Sequence, residues 1–300
     1  MLTSEQRQQQ QRVILVTGAN KGLGFEVVKK LITEPSSFKN DLILLGSRDL
    51  KRGQGAIKLL GSPSNVHLLQ LDTSSRNSIA QATNEIKQKY GGQLDVLINN
   101  AGILTHEKTV DAARNVFATN YYGIRTLNEH LSPLIKENGR IVNVASEVGA
   151  WALYEMSSDL QKKYQSSTLT KEQLDTLVED FISAIGSNRL EKLGYNSKLP
   201  YLIYGTSKAA LIALTRVEAR EWSGAQNVLV LSVTPGLCKT DIIDHAPGAR
   251  SAELGADSIL FPVNAPTNEL ENGQFYEDGQ QKPQSCACTK NLEHLSKKQE

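Results

Sequence analysis

In the stretch Tyr204-Gly-Thr-Ser-Lys208 a phenol and an ammonium stand four residues apart at the start of a helical run, so both side chains share one helix face. A phenol with pKa near 10 is a poor acid or base at neutral pH, and an ammonium beside it stabilises the phenolate and brings it toward the working range. Such a pair can pass a proton to or from a bound oxygen. Taken alone the spacing is common, and a solvated surface pair is the plain alternative.

A second group binds rather than reacts. Gly18, Gly22 and Gly24 stand in Thr17-Gly-Ala-Asn-Lys-Gly-Leu-Gly24, between an apolar run and residues at helical spacing. Where a strand stops at closely spaced glycines before a helix, the backbone can approach a pyrophosphate, and the helix N-terminus turns free N–H groups toward it. The G-x-x-x-G-x-G spacing is one residue longer in its first gap than the common dinucleotide fingerprint, and a tight surface turn is the competing reading. An acid at the end of the second strand would bond an adenosine 2′-hydroxyl, whereas an arginine there pairs with a 2′-phosphate. The chain has Ser47-Arg48, and Lys21 in the glycine turn adds a second positive charge, so both point to NADP(H). Against them stand Asp49 as a ribose ligand and the reading of Arg48 and Lys21 as solvated surface charges.

These residues need a scaffold that brings strand ends together. Apolar runs at 13–16, 42–45, 66–71, 94–98, 141–145 and 228–233 read as buried strands, and 25–32, 78–90, 112–135 and 204–222 as helices between them. The alternation predicts right-handed crossovers and an α/β fold with a doubly wound parallel sheet. Residues 152–194 break the pattern with a polar, helical stretch, which reads as an insertion before Tyr204. Residues 1–11 and 284–300 read as polar disordered tails around a single domain at 12–283.

Charge is nearly balanced at net +1, which offers no field for nucleic acid and favours a small-molecule partner. Residues 1–12 lack a signal or transit pattern, and no apolar run approaches the roughly 20 residues of a membrane span. Cys238, Cys286 and Cys288 are too few for a disulfide framework, and free thiols predict a cytoplasmic protein. The pair Cys286-Ala-Cys288 lacks neighbouring histidines, and His67, His106, His130, His245 and His294 lack ligand spacing, so no metal is expected.

The glycine turn, Asn99-Asn-Ala-Gly102, Asn120, Ser146 after a buried strand, Tyr204-x-x-x-Lys208 and Pro235-Gly236 follow one another as in the short-chain dehydrogenases/reductases, which this chain resembles over residues 12–280. Within that family it is most similar to the monomeric, NADPH-dependent carbonyl reductases, through Gly46-Ser-Arg-Asp-Leu-Lys-Arg-Gly-Gln54, Lys89-Tyr-Gly-Gly92, Asp159-Leu-Gln-Lys-Lys-Tyr164, Pro235-Gly-Leu-Cys-Lys-Thr-Asp241 and Gly273-Gln-Phe275. The resemblance implies a Rossmann-type fold. It further implies Tyr204 as proton donor, Lys208 as ribose anchor and tyrosine activator, Ser146 as donor to the substrate carbonyl, and Asn120 holding a relay water through its backbone carbonyl. It carries cofactor contacts onto Gly18, Asn20, Lys21, Gly22, Leu23, Gly24, Arg48, Asp72, Asn99, Asn100, Tyr204, Lys208, Pro235, Gly236 and Thr240. For Asn99 and Asn100 a sheet-supporting role competes with direct contact. The expected activity is reduction of a ketone, aldehyde or quinone. A dedicated ketoreductase for one terpenoid, alkaloid or steroid-like substrate is the alternative, and a non-catalytic NADP(H) sensor is a third.

Ser146 and Tyr204 lie 58 positions apart, against about a dozen in most relatives, and the intervening helices would cover the face used for tetramers, which implies a monomer. Glu147, Thr234 and Leu237 depart from the vertebrate carbonyl reductases, where the resemblance implies an apolar residue, a cysteine and a tryptophan. Glu147 either faces the pocket, disfavouring anionic substrates, or turns outward. The stretch between Gly102 and Asn120 is shorter than in those relatives, which puts their glutathione-conjugate binding in question. Trp151, Tyr154 and Tyr201 are candidates for the entrance or for packed core.

Overall fold

A computed structural model describes residues 11–34, 41–187, 189–224, 227–243 and 248–287. The apolar runs form an eight-stranded sheet in the order β3-β2-β1-β4-β5-β6-β7-β8. Its strands are β1 (Val13–Val16), β2 (Leu42–Ser47), β3 (Val66–Gln70), β4 (Leu94–Asn99), β5 (Ile135–Val144), β6 (Leu229–Val233), β7 (Phe275–Glu277) and β8 (Gln280–Lys282). The pairs from β3 through β7 are parallel, and only β8 returns antiparallel. All four β1 residues and all five of β6 are buried, as a sheet covered on both faces requires. Strand order reverses between β1 and β4, which opens a crevice at the carboxyl ends of those strands. This is a Rossmann-type architecture.

The helices are α1 (Gly22–Thr33), α2 (Leu50–Leu59), α3 (Arg76–Lys89), α4 (Val110–Phe117), α5 (Ile124–Leu131), α6 (Glu147–Tyr154), α7 (Ser158–Gln165), α8 (Lys171–Ala184), α9 (Arg189–Leu193), α10 (Leu202–Glu221) and α11 (Ala252–Asn264). The stretch that reads as one helix over 112–135 is instead α4, a π-helical turn over Ala118–Gly123, α5 and a 3₁₀ turn over Ser132–Leu134. Gly123 lies so close to the Thr73 carbonyl that a Cβ there would collide with it. The strand expected at 141–145 begins earlier, at Ile135, across a register shift opposite Leu94 and Val96. The short hairpin β7–β8 has too little periodicity to stand out in the sequence.

The insertion consists of α7, α8 and α9. Leu160, Tyr164, Leu174, Val178, Phe181 and Ile182 are buried in one apolar cluster with Phe117 and Tyr121 and with Leu211 and Leu214 of α10. A Thr170–Gln173 capping box starts α8. Arg216 and Arg220, both on α10, donate to the carbonyls of Tyr164, Gln165, Ser166, Ser167 and Leu169, binding the end of α7 to the helix that bears Tyr204. The expected C-terminal tail is anchored at its start: Gln284 donates to the Gly273 carbonyl at 3.0 Å, and the Cys286 N–H donates to the Ala150 carbonyl at 3.3 Å. Cys288 and the rest of that tail lie outside the described residues, as do His245, His294 and residues 1–10. Among the described residues no helix is long and apolar enough to cross a membrane.

Candidate active site

The crevice has two connected parts. The first, of about 410 Å³, is lined by the glycine turn, Arg48, Arg52, Asp72, Asn100 and Thr240. The second, of about 110 Å³, is lined by Ser146, Glu147, Tyr201, Tyr204, Lys208, Thr234 and Gly236, with Asn100 and Thr240 shared.

In the first part Gly18 and Gly22 take φ of 62° and 58°, the left-handed region that glycine enters without a Cβ penalty. A Cβ at Gly24 would strike the Asn100 side chain and lie 2.8 Å from the Gly18 carbonyl. The Asn100 amide donates to the Thr17 carbonyl at 2.9 Å and to the Gly18 carbonyl at 3.3 Å, which holds the turn in shape. Helix α1 starts at Gly22 with neither a side-chain cap nor an acid in its first turn, leaving its leading N–H groups for an anion. A backbone cradle with uncapped donors fits the diphosphate of a dinucleotide.

At the far end Arg48 is exposed and lines the crevice, while Asp49 caps α2, its carboxylate accepting the Arg52 N–H at 2.9 Å. Capping engages one carboxylate oxygen of Asp49, which also lines the crevice. Arg52 is an addition to the expected residues, and its signal is its place four residues beyond Arg48 at a helix start. Lys21 pairs with Asp241 at 2.6 Å, both well exposed. Asp72 accepts from the Ser74 N–H at 3.0 Å and the Ser74 hydroxyl at 2.7 Å on the crevice wall. Asn99 lines neither part: its amide donates to Asn128 at 2.7 Å and Asn143 at 2.8 Å beneath the sheet ends, so its side chain does the sheet-supporting work.

In the second part the Ser146 hydroxyl caps α6 by accepting the Val148 N–H at 3.2 Å. Asn120 sits in the π turn. Its side chain accepts the Ile103 N–H at 2.9 Å and donates to the Ile103 carbonyl and the Ser207 hydroxyl, so any part in proton transfer falls to its backbone. Lys208 donates to the Val144 carbonyl at 2.7 Å, with its ammonium 5.8 Å from the centre of the Tyr204 ring. Burial pushes the Lys208 ammonium down to about 8. It pushes the Tyr204 phenol up to about 12, opposed by the Ser146 hydroxyl. The Lys208 ammonium, bonded to the Val144 carbonyl and 5.8 Å from the ring, does not offset that desolvation, so the Tyr204 phenol is protonated at neutral pH.

Thr234 joins the two parts. Its hydroxyl accepts the Gly236 N–H at 3.1 Å and the Glu147 N–H at 3.3 Å, tying the turn after β6 to the residue beside Ser146. Behind that turn the Pro235 carbonyl accepts from Arg250 and the Thr234 carbonyl from Ser258, and both donors also contact Asp278. Glu147 is in the wall and nearly buried. Of the candidate entrance aromatics only Tyr201 reaches the pocket; Trp151 is core, with its indole donating to Glu155 at 3.2 Å, and Tyr154 is exposed elsewhere.

The family model for short chain dehydrogenase matches residues 12–167. Carbonyl reductase (NADPH) 1 of Bos taurus is 35% identical over 277 residues, spanning 89% of this chain and 96% of that one. Among solved structures, salutaridine reductase from Papaver somniferum superposes with a TM-score of 0.76 at 28% identity, covering 89% of this chain and 99% of that one. Menthone neomenthol reductase from Mentha piperita gives 0.69 at 28% identity, covering 88% and 98%. A family model over more than half of the chain and a relative 35% identical over 89% of it show that the chain belongs to the short-chain dehydrogenase/reductase family.

Proposed function

We propose that this chain uses NADPH to reduce a ketone, aldehyde or quinone carbonyl to an alcohol, with Tyr204 as proton donor. The observation that carries the proposal is the enclosed phenol of Tyr204 beside the Ser146 hydroxyl, in a pocket continuous with the glycine cradle. Arg48, Lys21 and Arg52 would hold the 2′-phosphate, the glycine turn the diphosphate, Asp72 the adenine end, and Pro235, Gly236, Thr240 and Lys208 the nicotinamide riboside. When bound, the cofactor supplies the hydride. Ser146 and Tyr204 place two hydroxyl donors at the carbonyl oxygen, where negative charge grows as the bond to carbon forms. Tyr204 then releases its proton to that oxygen. Lys208, buried and cationic at neutral pH, stabilises the phenolate left behind and anchors the ribose. The apolar wall around them excludes water and holds the carbonyl at reacting distance.

The higher TM-scores toward the salutaridine and menthone reductases support a second reading, a narrow ketoreductase for one terpenoid, alkaloid or steroid-like substrate. Nothing in the cluster differs between the two readings; the pocket walls decide. We also read the chain as a monomer, since the insertion covers α4, the π turn and α10, and as cytoplasmic from its few cysteines, read as free thiols. Oxidation of NADPH and NADH should be followed against a quinone, an α-dicarbonyl, an aromatic aldehyde and a bulky cyclic ketone. Broad turnover with NADPH preferred supports the general reductase. Turnover of the cyclic ketone alone supports the narrow one. Silence across the panel with NADPH still bound removes the general reductase and shifts the reading to a narrow ketoreductase or a sensor.

A further inference from the structure

Tyr201 has the most costly backbone conformation in the pocket wall. Its φ of 57° and ψ of 30° lie in the left-handed region, where a bulky aromatic residue is an outlier and glycine or asparagine sits at lower cost. The backbone there serves to open α10, because the Tyr201 carbonyl accepts the Gly205 N–H at 2.7 Å, three residues before Tyr204. Its side chain makes no cap. Opening the helix in this way calls for no aromatic ring.

The ring is placed where a ligand would meet it. Tyr201 lines the same pocket as Ser146 and Tyr204, half-buried, with burial raising its phenol pKa. The His106 ring, exposed on the loop that follows β4, stands 5.2 Å away at 55°, so Tyr201 has a second ring from another segment at its side. Leu104, Val148, Leu237 and Ile242 make up neighbouring wall, without a charge among them. Strained residues concentrate at ligand clamps, where the surroundings hold a conformation for the sake of the side chain it presents. A ring retained at a position where asparagine would relax the chain, and braced by a second ring, is such a case.

We infer that Tyr201, braced by His106, is a specificity-determining residue that favours carbonyl compounds bearing a flat ring beside the reacting carbon over open-chain carbonyls of equal size. The inference rests on the reductase reading above. A flat ring gains offset or edge-on contact with Tyr201 that a flexible chain lacks.

The test compares kcat and KM with NADPH for an aryl methyl ketone and an acyclic aliphatic ketone of matched carbon number, in the wild type, Tyr201→Asn and Tyr201→Phe, together with melting temperatures. Tyr201→Asn is expected to lower kcat/KM for the aryl ketone roughly tenfold, through KM, and to leave the aliphatic ketone within about twofold. It is also expected to raise the melting temperature by about 1–3 °C as the strain is relieved. Tyr201→Phe should follow the wild type in selectivity. Equal losses on both ketones would make Tyr201 merely the start of α10, and unchanged kinetics would make it inert; either overturns the inference while leaving the reductase reading standing. A wild type that turns over neither ketone overturns the inference, and the quinone and aldehyde of the wider panel then decide the reductase reading separately.

Discussion

The two ends of the crevice are built on opposite principles. At the adenosine end Arg48, Arg52 and Lys21 are exposed, and the ion pair that Lys21 makes with Asp241 on the opposite wall lies in open solvent. Water and salt screen such charges, so on the proposed reading they would act on affinity and on the choice between phosphorylated and unphosphorylated cofactors. At the other end Lys208 and Thr234 are buried and Tyr204 is half-buried, and desolvation there moves the phenol up to about 12 and the ammonium down to about 8. Enclosed groups act on the chemical step. Removing a charge at the open end should therefore change KM in a salt-dependent way, and removing a hydroxyl at the closed end should change kcat at any salt.

Tyr204→Phe is the strongest cut. Turnover should fall by on the order of 10³ while NADPH binding, followed by cofactor fluorescence, stays within a few-fold. Retained turnover would sink the assignment of Tyr204 as donor. Thr234→Val should come next, because two backbone N–H groups then lose their acceptor at a buried position. At about 1–2 kcal/mol, kcat should drop roughly tenfold with Thr234→Ser restoring it; an equal fall in the serine variant would assign the effect to packing. Arg48→Ala should raise KM for NADPH roughly tenfold at low salt, less at high salt, and leave NADH unchanged. A parallel change with NADH would deny Arg48 its phosphate.

The smallest effect concerns a buried acid that takes no part in turnover. Glu218 is fully buried on α10, accepts from Asn128 at 2.8 Å, and is pushed up to about 8 chiefly by burial. An acid whose folded pKa lies above its unfolded value contributes stability while protonated. That contribution is complete below about 4.5 and is lost as pH rises toward 8. The wild type should lose stability steadily across this window, and Glu218→Gln, which keeps the Asn128 bond, should flatten the decline. An equally steep decline in the variant would place the titration elsewhere.

Much of the closed end is legible in the sequence because it rests on residue types at local spacing. Tyr204 and Lys208 share a helix face whatever the fold around them, and a strand that breaks at Gly18, Gly22 and Gly24 before a helix points to a phosphate cradle once the neighbouring strands rule out a plain surface turn. Arg48 follows from its place at a strand end. Arg52 escapes such a reading because its contribution depends on where α2 begins, and that start is set by the Asp49 cap rather than by periodicity. The π turn at Ala118–Gly123 reads as plain helix in the sequence, since the extra residue per turn is imposed by the close approach of Gly123 to the Thr73 carbonyl, a contact between distant segments.

Local pattern thus carried the sheet, the glycine cradle and the reacting pair, because strand, helix and turn preferences act over a few residues. Burial, direction and coupling came from packing. Whether Tyr204 titrates low or high depends on how much water the walls leave beside it, and the folded walls leave little. Asn99 turns under the sheet and Asn100 toward the turn, although the two are neighbours, because strand residues alternate in direction and each finds partners from a different element. The join through Thr234, between the end of β6 and the start of α6, spans 87 positions of chain, and only the closed sheet brings those ends within a hydrogen bond.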